Sequence, residues 1–293
     1  MGTSYRRRLK FYVLLVIPAL CIYIFAEILP IVSTVGYSFL KWNLMTNRKT
    51  FIGLDNYLKL LTDHAFWKSF GVNLELGVWT IIGSNILGFF IAYFLNEKLF
   101  CRGLIRTLFF IPNVISTVLI AFIWVFIYSQ VLPAIGQAIG WGWLATASWF
   151  GTKHMAMITI ITVSIWQNIG FLMLIYTAGL QTISRDIIEA SEMDGCTGIK
   201  RVFKIEIPLL MPSITINLFV SIASSFKAYD IANALTGGGP SGATQPMSMN
   251  IYQEAFQKYN LGYGSAKSVV LFIIVAVITL IQLHLTSKRE VEA

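Results

Sequence analysis

The residue types that usually carry catalysis are scarce here and badly spaced for it. The chain holds three histidines (His64, His154, His284) and three cysteines (Cys21, Cys101, Cys196), all far apart. No CxxC occurs, so neither a disulfide framework nor a metal-ligand set is spelled out. Gly262-Tyr-Gly264-Ser-Ala-Lys267-Ser268 comes nearest to the phosphate-binding pattern GxxxxGK[ST]. Ala266 stands where the second glycine belongs, and the stretch opens an apolar run. No Ser/His/Asp set or carboxylate pair can be assembled. The expectation is a chain with no catalytic residues, no metal and no cofactor of its own.

A second group of polar residues is more informative because of its surroundings. Ser164, Gln167 and Asn168 interrupt one long apolar run, and Asn217, Ser221, Ser224 and Ser225 another. Asn113, Ser116 and Thr117 lie in a third run, with Ser84 and Asn85 in a fourth. Polar groups in lipid are costly, so they mark either contacts between helices or a solute pathway. At helical spacing Gln167, Phe171 and Leu174 share a face, and Ser164 and Asn168 share the next one. Amides and hydroxyls beside an aromatic ring, without fixed charge, are what a sugar needs. The same residues also serve as helix glue, and spacing does not separate the two roles.

These residues must be held by membrane helices. The 293 residues are 56% hydrophobic and 12% charged, with a mean hydropathy of +0.69. Soluble domains carry about twice that charge density. An ordinary soluble enzyme, a disordered chain and a fibrous repeat are therefore excluded. Few turn residues and the lack of apolar/polar alternation argue against an outer-membrane barrel. Six windows reach the roughly 20 apolar residues of a spanning helix: Phe11–Leu29, Leu74–Leu95, Leu104–Tyr128, Met155–Ala178, Pro208–Phe226 and Ala266–Leu285. Arg6-Arg7-Arg8 before the first window imitates a signal peptide. The run is too long and lacks a cleavage site, so it reads as an uncleaved first span.

An even number of spans places both termini on one side. The loops 1–10, 96–103, 179–207 and 286–293, with Arg106, hold 13 of the 22 Lys and Arg. The remaining nine are spread over the longer set 40–73, 129–154 and 227–265, with Lys267. The basic set resists translocation and is read as cytoplasmic. The formal charge of +8 thus needs no nucleic-acid partner.

Within that set, the loop between the fourth and fifth windows has its own order. Ser184 can cap a helix, and Asp186 and Glu189 suit its positive N-terminal end. Gly195 can take positive φ and end it. A second helix over 199–205 should lead to Pro208 as the first-turn proline of the fifth span. The result is a short helix with small and apolar faces, braced between two spans.

The wording of this loop, Glu189-Ala190-Ser191-Glu-Met-Asp194-Gly195 followed by Phe203 and Ile205-Glu-Ile207-Pro208, resembles the EAA…G…I.LP loop of binding-protein-dependent ABC transporter permeases. Ser191 replaces the family's second alanine, one small residue for another. Phe51–Leu61 with Phe66-Trp67, and Leu235–Pro240 followed by Thr244 and 251–256, look like outer loops of the MalF-like subunit of the carbohydrate-uptake permeases.

The resemblance implies an all-α integral membrane protein with six transmembrane helices in the type I ABC importer permease fold. It also implies sugar or oligosaccharide import by alternating access, driven by ATP and Mg held in a separate ATPase. Glu189, Ala190, Ser191, Asp194 and Gly195 would couple to that ATPase. Gln167, Asn168, Phe171, Ser221 and Ser225 would bind substrate, because the family's cavity is lined from the spans flanking this loop. The implied partners are a second permease, an ATPase dimer and an extracytoplasmic solute-binding protein. The organisation expected is 1–69 as first helix and outer loop, 70–287 as the transport core with the coupling loop at 184–207, and 288–293 as a cytoplasmic tail. The alternative from the residues alone is an ion-coupled transporter, disfavoured by the lack of a mid-span Asp or Glu.

Overall fold

The computed structural model describes residues 16–96 and 101–288. Arg6, Arg7, Arg8 and positions 11–15 of the first window lie outside them. In chain order the elements are α1 (Val16–Ser38), β1 (Leu40–Asn43), β2 (Arg48–Phe51), α2 (Asp55–Leu61), α3 (His64–Asn96), α4 (Arg102–Val114) and α5 (Thr117–Ala138). They continue with α6 (Gly142–Thr146), α7 (Lys153–Thr182), α8 (Arg185–Met193), α9 (Ile199–Leu209) and α10 (Met211–Phe226). Last come α11 (Tyr229–Thr236), α12 (Met247–Tyr252), a π turn at Gln253–Gln257 and α13 (Leu261–Ser287). Long apolar helices dominate, as composition requires.

Three boundaries depart from the sequence reading. The first span runs unbroken to Ser38; a π segment at Ile24–Ile28 places its change of hydrogen-bond register just before Pro30. The Leu104–Tyr128 window is two helices. Extended backbone at Ile115 and Ser116, three residues after Pro112, separates α4 from α5, and α5 continues to Ala138. At the fifth window α9 and α10 meet at Leu210 with a bend of 72°. Pro212, not Pro208, therefore stands in the first turn of the apolar helix, since a proline ring fits where a helix begins and no earlier N–H partner is needed.

The described residues fall into two compact units. One comprises 16–63 and 251–272. Its β1–β2 hairpin pairs Leu40 with Phe51 and Asn43 with Arg48. Asn43 Oδ1 accepts from the Met45 and Thr46 N–H groups, at 2.9 and 3.1 Å, and closes the turn. Asn56 donates to the Ser38 and Leu40 carbonyls and fixes α2 to the hairpin. Lys267 is 1% exposed; its Nζ lies 3.0 Å from Asp63 Oδ2 and 3.2 Å from Glu254 Oε2. The ammonium of the near-miss phosphate loop is thus committed to two carboxylates.

The other unit comprises 64–96, 101–250 and 273–288, and α3 and α7 pack along each other at its centre. Small residues let them approach: a Cβ on Gly88 would meet Leu172 Cβ at 3.2 Å and the Met173 nitrogen at 3.3 Å. α10 closes on both. Asn217 donates to the Leu172 carbonyl at 3.2 Å, and Asn73 donates to the Ser225 carbonyl at 2.9 Å while accepting from the Met247 N–H at 2.7 Å. One apolar cluster gathers Leu76, Ile120, Tyr128, Met157 and Ile160 with Ile231 and Leu235. A second gathers Ala92, Leu95, Leu172, Met173, Leu180 and Leu210.

Candidate functional site: a polar cavity and a two-helix loop

Beside the first of these clusters lies a cavity of about 270 Å³. α7 contributes Ser164, Gln167 and Asn168; α10 contributes Ser221, Ser224 and Ser225; α3 contributes Thr80 and Ser84; α4 and α5 contribute Asn113 and Thr117. The apolar part of its wall includes Leu76, Ile160 and Ile231. Gln167 Nε2 donates to Thr117 Oγ1 at 3.0 Å, which holds the amide across the gap between α7 and α5. Asn168 Nδ2 donates to the Ser164 carbonyl at 2.8 Å. Ser221 and Ser225 each donate back to the carbonyl four residues earlier, both at 2.7 Å. Their hydroxyl oxygens keep acceptor capacity, and Asn85 Nδ2 uses that of Ser221 at 3.1 Å. Tyr176 in turn donates to Asn85 Oδ1 at 2.8 Å. The wall is rich in amides and hydroxyls, suited to exchanging hydrogen bonds with a polar, uncharged solute.

Four of the five residues proposed from sequence as substrate-binding, Gln167, Asn168, Ser221 and Ser225, therefore line one cavity. Phe171 is not among its lining residues. One turn further along α7, it packs beside Leu172, Leu180 and the rest of the second apolar cluster. A shared helix face does not keep two side chains at one depth: four residues advance about 6 Å along the axis. No aromatic ring lines the cavity among the described residues, so the stacking surface expected there is missing from this chain's side.

Sequence reading also missed three contributors. Thr80 sits one turn before Ser84 on α3. Lys227 and Asp230 border the cavity from the α10–α11 junction, with no ion-pair partner for either among the described residues. The signal was present: Lys227 follows Ser224 by three positions, directly beyond the apolar run. Counting it as loop hid it.

The 184–207 loop folds as its local chemistry demands. Ser184 Oγ accepts from the Ile187 N–H and caps α8. At the other end Gly195, at φ +72°, donates to the Glu192 carbonyl, and Cys196 donates to the Ser191 carbonyl at 2.8 Å. These two bonds form a Schellman stop, for which glycine carries no Cβ penalty. Glu189, Ala190, Asp194 and Gly195 are exposed, whereas Ser191 is buried and donates to the Ile188 carbonyl at 2.6 Å. Ser191 therefore faces its own protein, and the other four look outward. Beside them Met193 and Phe203 are 89% and 65% exposed, leaving apolar area on the loop surface.

The Leu235–Pro240 stretch is a tied turn. α11 ends at Gly237 with φ +58°, and the buried Thr244 hydroxyl meets both Thr236 Oγ1 at 2.9 Å and the Gly239 carbonyl at 2.6 Å.

Comparison with known proteins places this arrangement. Residues 84–291 match the family described as binding-protein-dependent transport system inner membrane component. The probable starch degradation products transport system permease protein AmyD of Thermoanaerobacterium thermosulfurigenes is 38% identical over 281 residues, covering 96% of this chain and 95% of that one. The multiple sugar-binding transport system permease protein MsmF of Streptococcus mutans is 35% identical, over 89% of this chain and 90% of its own. The trehalose/maltose transport system permease protein MalF of Thermococcus litoralis is 32% identical, over 97% and 96%. A crystal structure of a bacterial ABC transporter that imports alginate contains a chain of the same fold, with a TM-score of 0.81 at 19% identity over 97% of each chain. The ion-coupled alternative is thereby set aside: the chain belongs to the binding-protein-dependent transport system inner membrane components, as the permease subunit of an ABC importer.

Proposed function

We propose that the chain moves a neutral sugar or oligosaccharide inward across the cytoplasmic membrane by alternating access, as one of two homologous permeases. The observation that carries this reading is the cavity, a concentration of uncharged amides and hydroxyls on helices that flank the 184–207 loop. At about 270 Å³ it falls just below the roughly 300–1,000 Å³ usual for ligand pockets, which suits a site completed by a second permease. Gln167, Asn168, Ser221 and Ser225 exchange hydrogen bonds with the solute, and an aromatic surface comes from the partner. Lys227 and Asp230 carry opposite charges, so the wall has no net bias toward an anion. Relatives named for starch degradation products, multiple sugars and trehalose/maltose support the same substrate class.

In this reading both termini and the 184–207 loop face the cytoplasm, as the Lys/Arg distribution requires. Glu189, Ala190, Asp194 and Gly195 meet an ATPase dimer that holds ATP and Mg, while Ser191 secures the helix from behind. The segments Phe51–Trp67 and Leu235–Phe256 receive a solute-binding protein on the opposite side. The test is uptake of malto-oligosaccharides by proteoliposomes holding the chain with its cognate partners. Uptake should require ATP and survive collapse of ion gradients, and Gln167→Ala or Asn168→Ala should lower it about tenfold by leaving solute hydroxyls unpaired. Uptake without ATPase, or indifference to both substitutions, refutes the reading.

A further inference from the structure

Where α3, α7, α8 and α9 come together, a smaller space of about 100 Å³ is lined by Tyr93, Asn96, Ile188, Arg201 and Glu206, among others. Arg201 dominates it. Its Nη1 donates to Glu192 Oε1 at 2.7 Å and its Nε donates to Glu206 Oε1 at 2.8 Å, and Tyr93 lines the same small space. One guanidinium thus ties α8, through Glu192, to its own helix α9, through Glu206, at a space that Tyr93 of α3 also lines. The rigid fork of a guanidinium holds divergent partners in fixed directions, whereas an ammonium is a compact point charge on a flexible stem.

The backbone is shaped for this contact. Arg201 and Glu206 are five positions apart. In a regular α-helix that separation turns the two side chains about 140° away from each other. Here Val202–Glu206 is a π segment, closed by the Ile207 N–H on the Val202 carbonyl, and the wider turn brings both residues to one face. The Glu206 side chain is 5% exposed, and its Oε2 has no partner among the described residues. A buried carboxylate with one free oxygen is tolerated only beside a cation, so Arg201 is required where it stands. By contrast, the direct connection from α8 to α9 is a short turn. It runs through Gly195, Cys196, Thr197 and Gly198, with both glycines at positive φ (+72° and +57°).

We propose that Arg201 is a positioning residue of transport: it clamps the helix Arg185–Met193 to Ile199–Leu209 beside the end of the second span, so that a push on the loop moves the two helices as one body. This rests on the reading that a partner ATPase drives the loop. Without the clamp, the glycine linker bends and the push is dissipated before it reaches α10.

The test uses the full chain and the complete transporter, with Arg201→Met, Arg201→Lys and the exchange Arg201→Glu/Glu206→Arg. In the full chain alone, Arg201→Met should raise amide hydrogen exchange across 185–198 about tenfold, because local opening loses its main restraint. In the complete transporter, ATP hydrolysis should stay within about twofold while solute moved per ATP falls roughly fivefold. Arg201→Lys should fall between, and the exchanged pair should recover part of both signals. Unchanged exchange in Arg201→Met overturns the clamp, and so does a wild-type ratio of transport to hydrolysis. If Arg201→Met does not assemble, a swapped pair that also fails to assemble counts against the clamp. A wild-type transporter that shows no ATP-driven uptake would instead overturn the functional reading, while the exchange experiment would still report on the clamp.

Discussion

Gly170→Ala adds one methyl group at the tightest helix crossing near the cavity. The new Cβ would sit 2.6 Å from the Phe109 carbonyl carbon and 2.7 Å from Phe110 Cα. Carbon atoms pack at about 3.5–4.0 Å, so α4 must retreat from α7 by roughly 1 Å. It would also meet the Phe109 carbonyl oxygen; all three clashing atoms are backbone, and no rotamer change relieves them. Overpacking of this kind costs about 1–3 kcal/mol, or roughly 5- to 150-fold in the folded ratio. The retreat also moves Asn113, which lies three positions beyond Phe110 and lines the cavity. The expected result is a lower melting temperature for the purified chain in detergent and weaker solute uptake. Gly103→Ala is the control on the same helix, since a Cβ there meets nothing within 4 Å. The better helix propensity of alanine should leave it neutral or slightly more stable. Equal melting of Gly170→Ala and wild type, or equal damage from Gly103→Ala, would refute the packing argument.

Four further outcomes are expected. Asn73→Leu strands the buried Ser225 carbonyl and Met247 N–H, at about 1–3 kcal/mol each, and melting should register most of that loss. Lys267→Met leaves Asp63 and Glu254 without their shared ammonium, which should cost about 3–5 kcal/mol in thermal unfolding; adding Glu254→Gln should restore part of it. Burial pushes the Glu254 carboxyl up, but hydrogen bonds from Lys258 and Asn260 and the charges of Lys267 and Lys258 outweigh it and hold the group below its usual 4.5. A depressed value means stability that is full above about 4.5 and is lost as pH falls from there through the folded-state value, so melting should drop with acid in wild type and less steeply in Glu254→Gln. Gly195→Val forces a β-branched residue to φ +72°, with strain of about 1–3 kcal/mol at the end of α8; ATPase co-purification should fall while membrane insertion persists.

What local energetics control can be read from the residues alone. Apolar length decides where helices of spanning size form, since the backbone must satisfy its own hydrogen bonds in lipid. Ser184 and Gly195 announce the ends of α8 because capping depends on residues within one turn. The amides and hydroxyls at 164–168 and 221–225 stand out because polarity in an apolar run needs a reason. Only the tertiary structure decided the rest. The break at Ile115–Ser116 and the 72° bend at Leu210 are changes of direction inside apolar runs, and apolar composition alone cannot register a change of direction. Phe171 leaves the cavity for an apolar cluster, Ser191 turns inward, and Lys227 and Asp230 reach the cavity wall. Arg201 reads as ordinary loop charge until folding brings Glu192, Glu206 and Tyr93 around it. In each case the deciding contact joins residues on different helices or across a π turn, and helical periodicity carries no information about a neighbour that the chain has yet to meet.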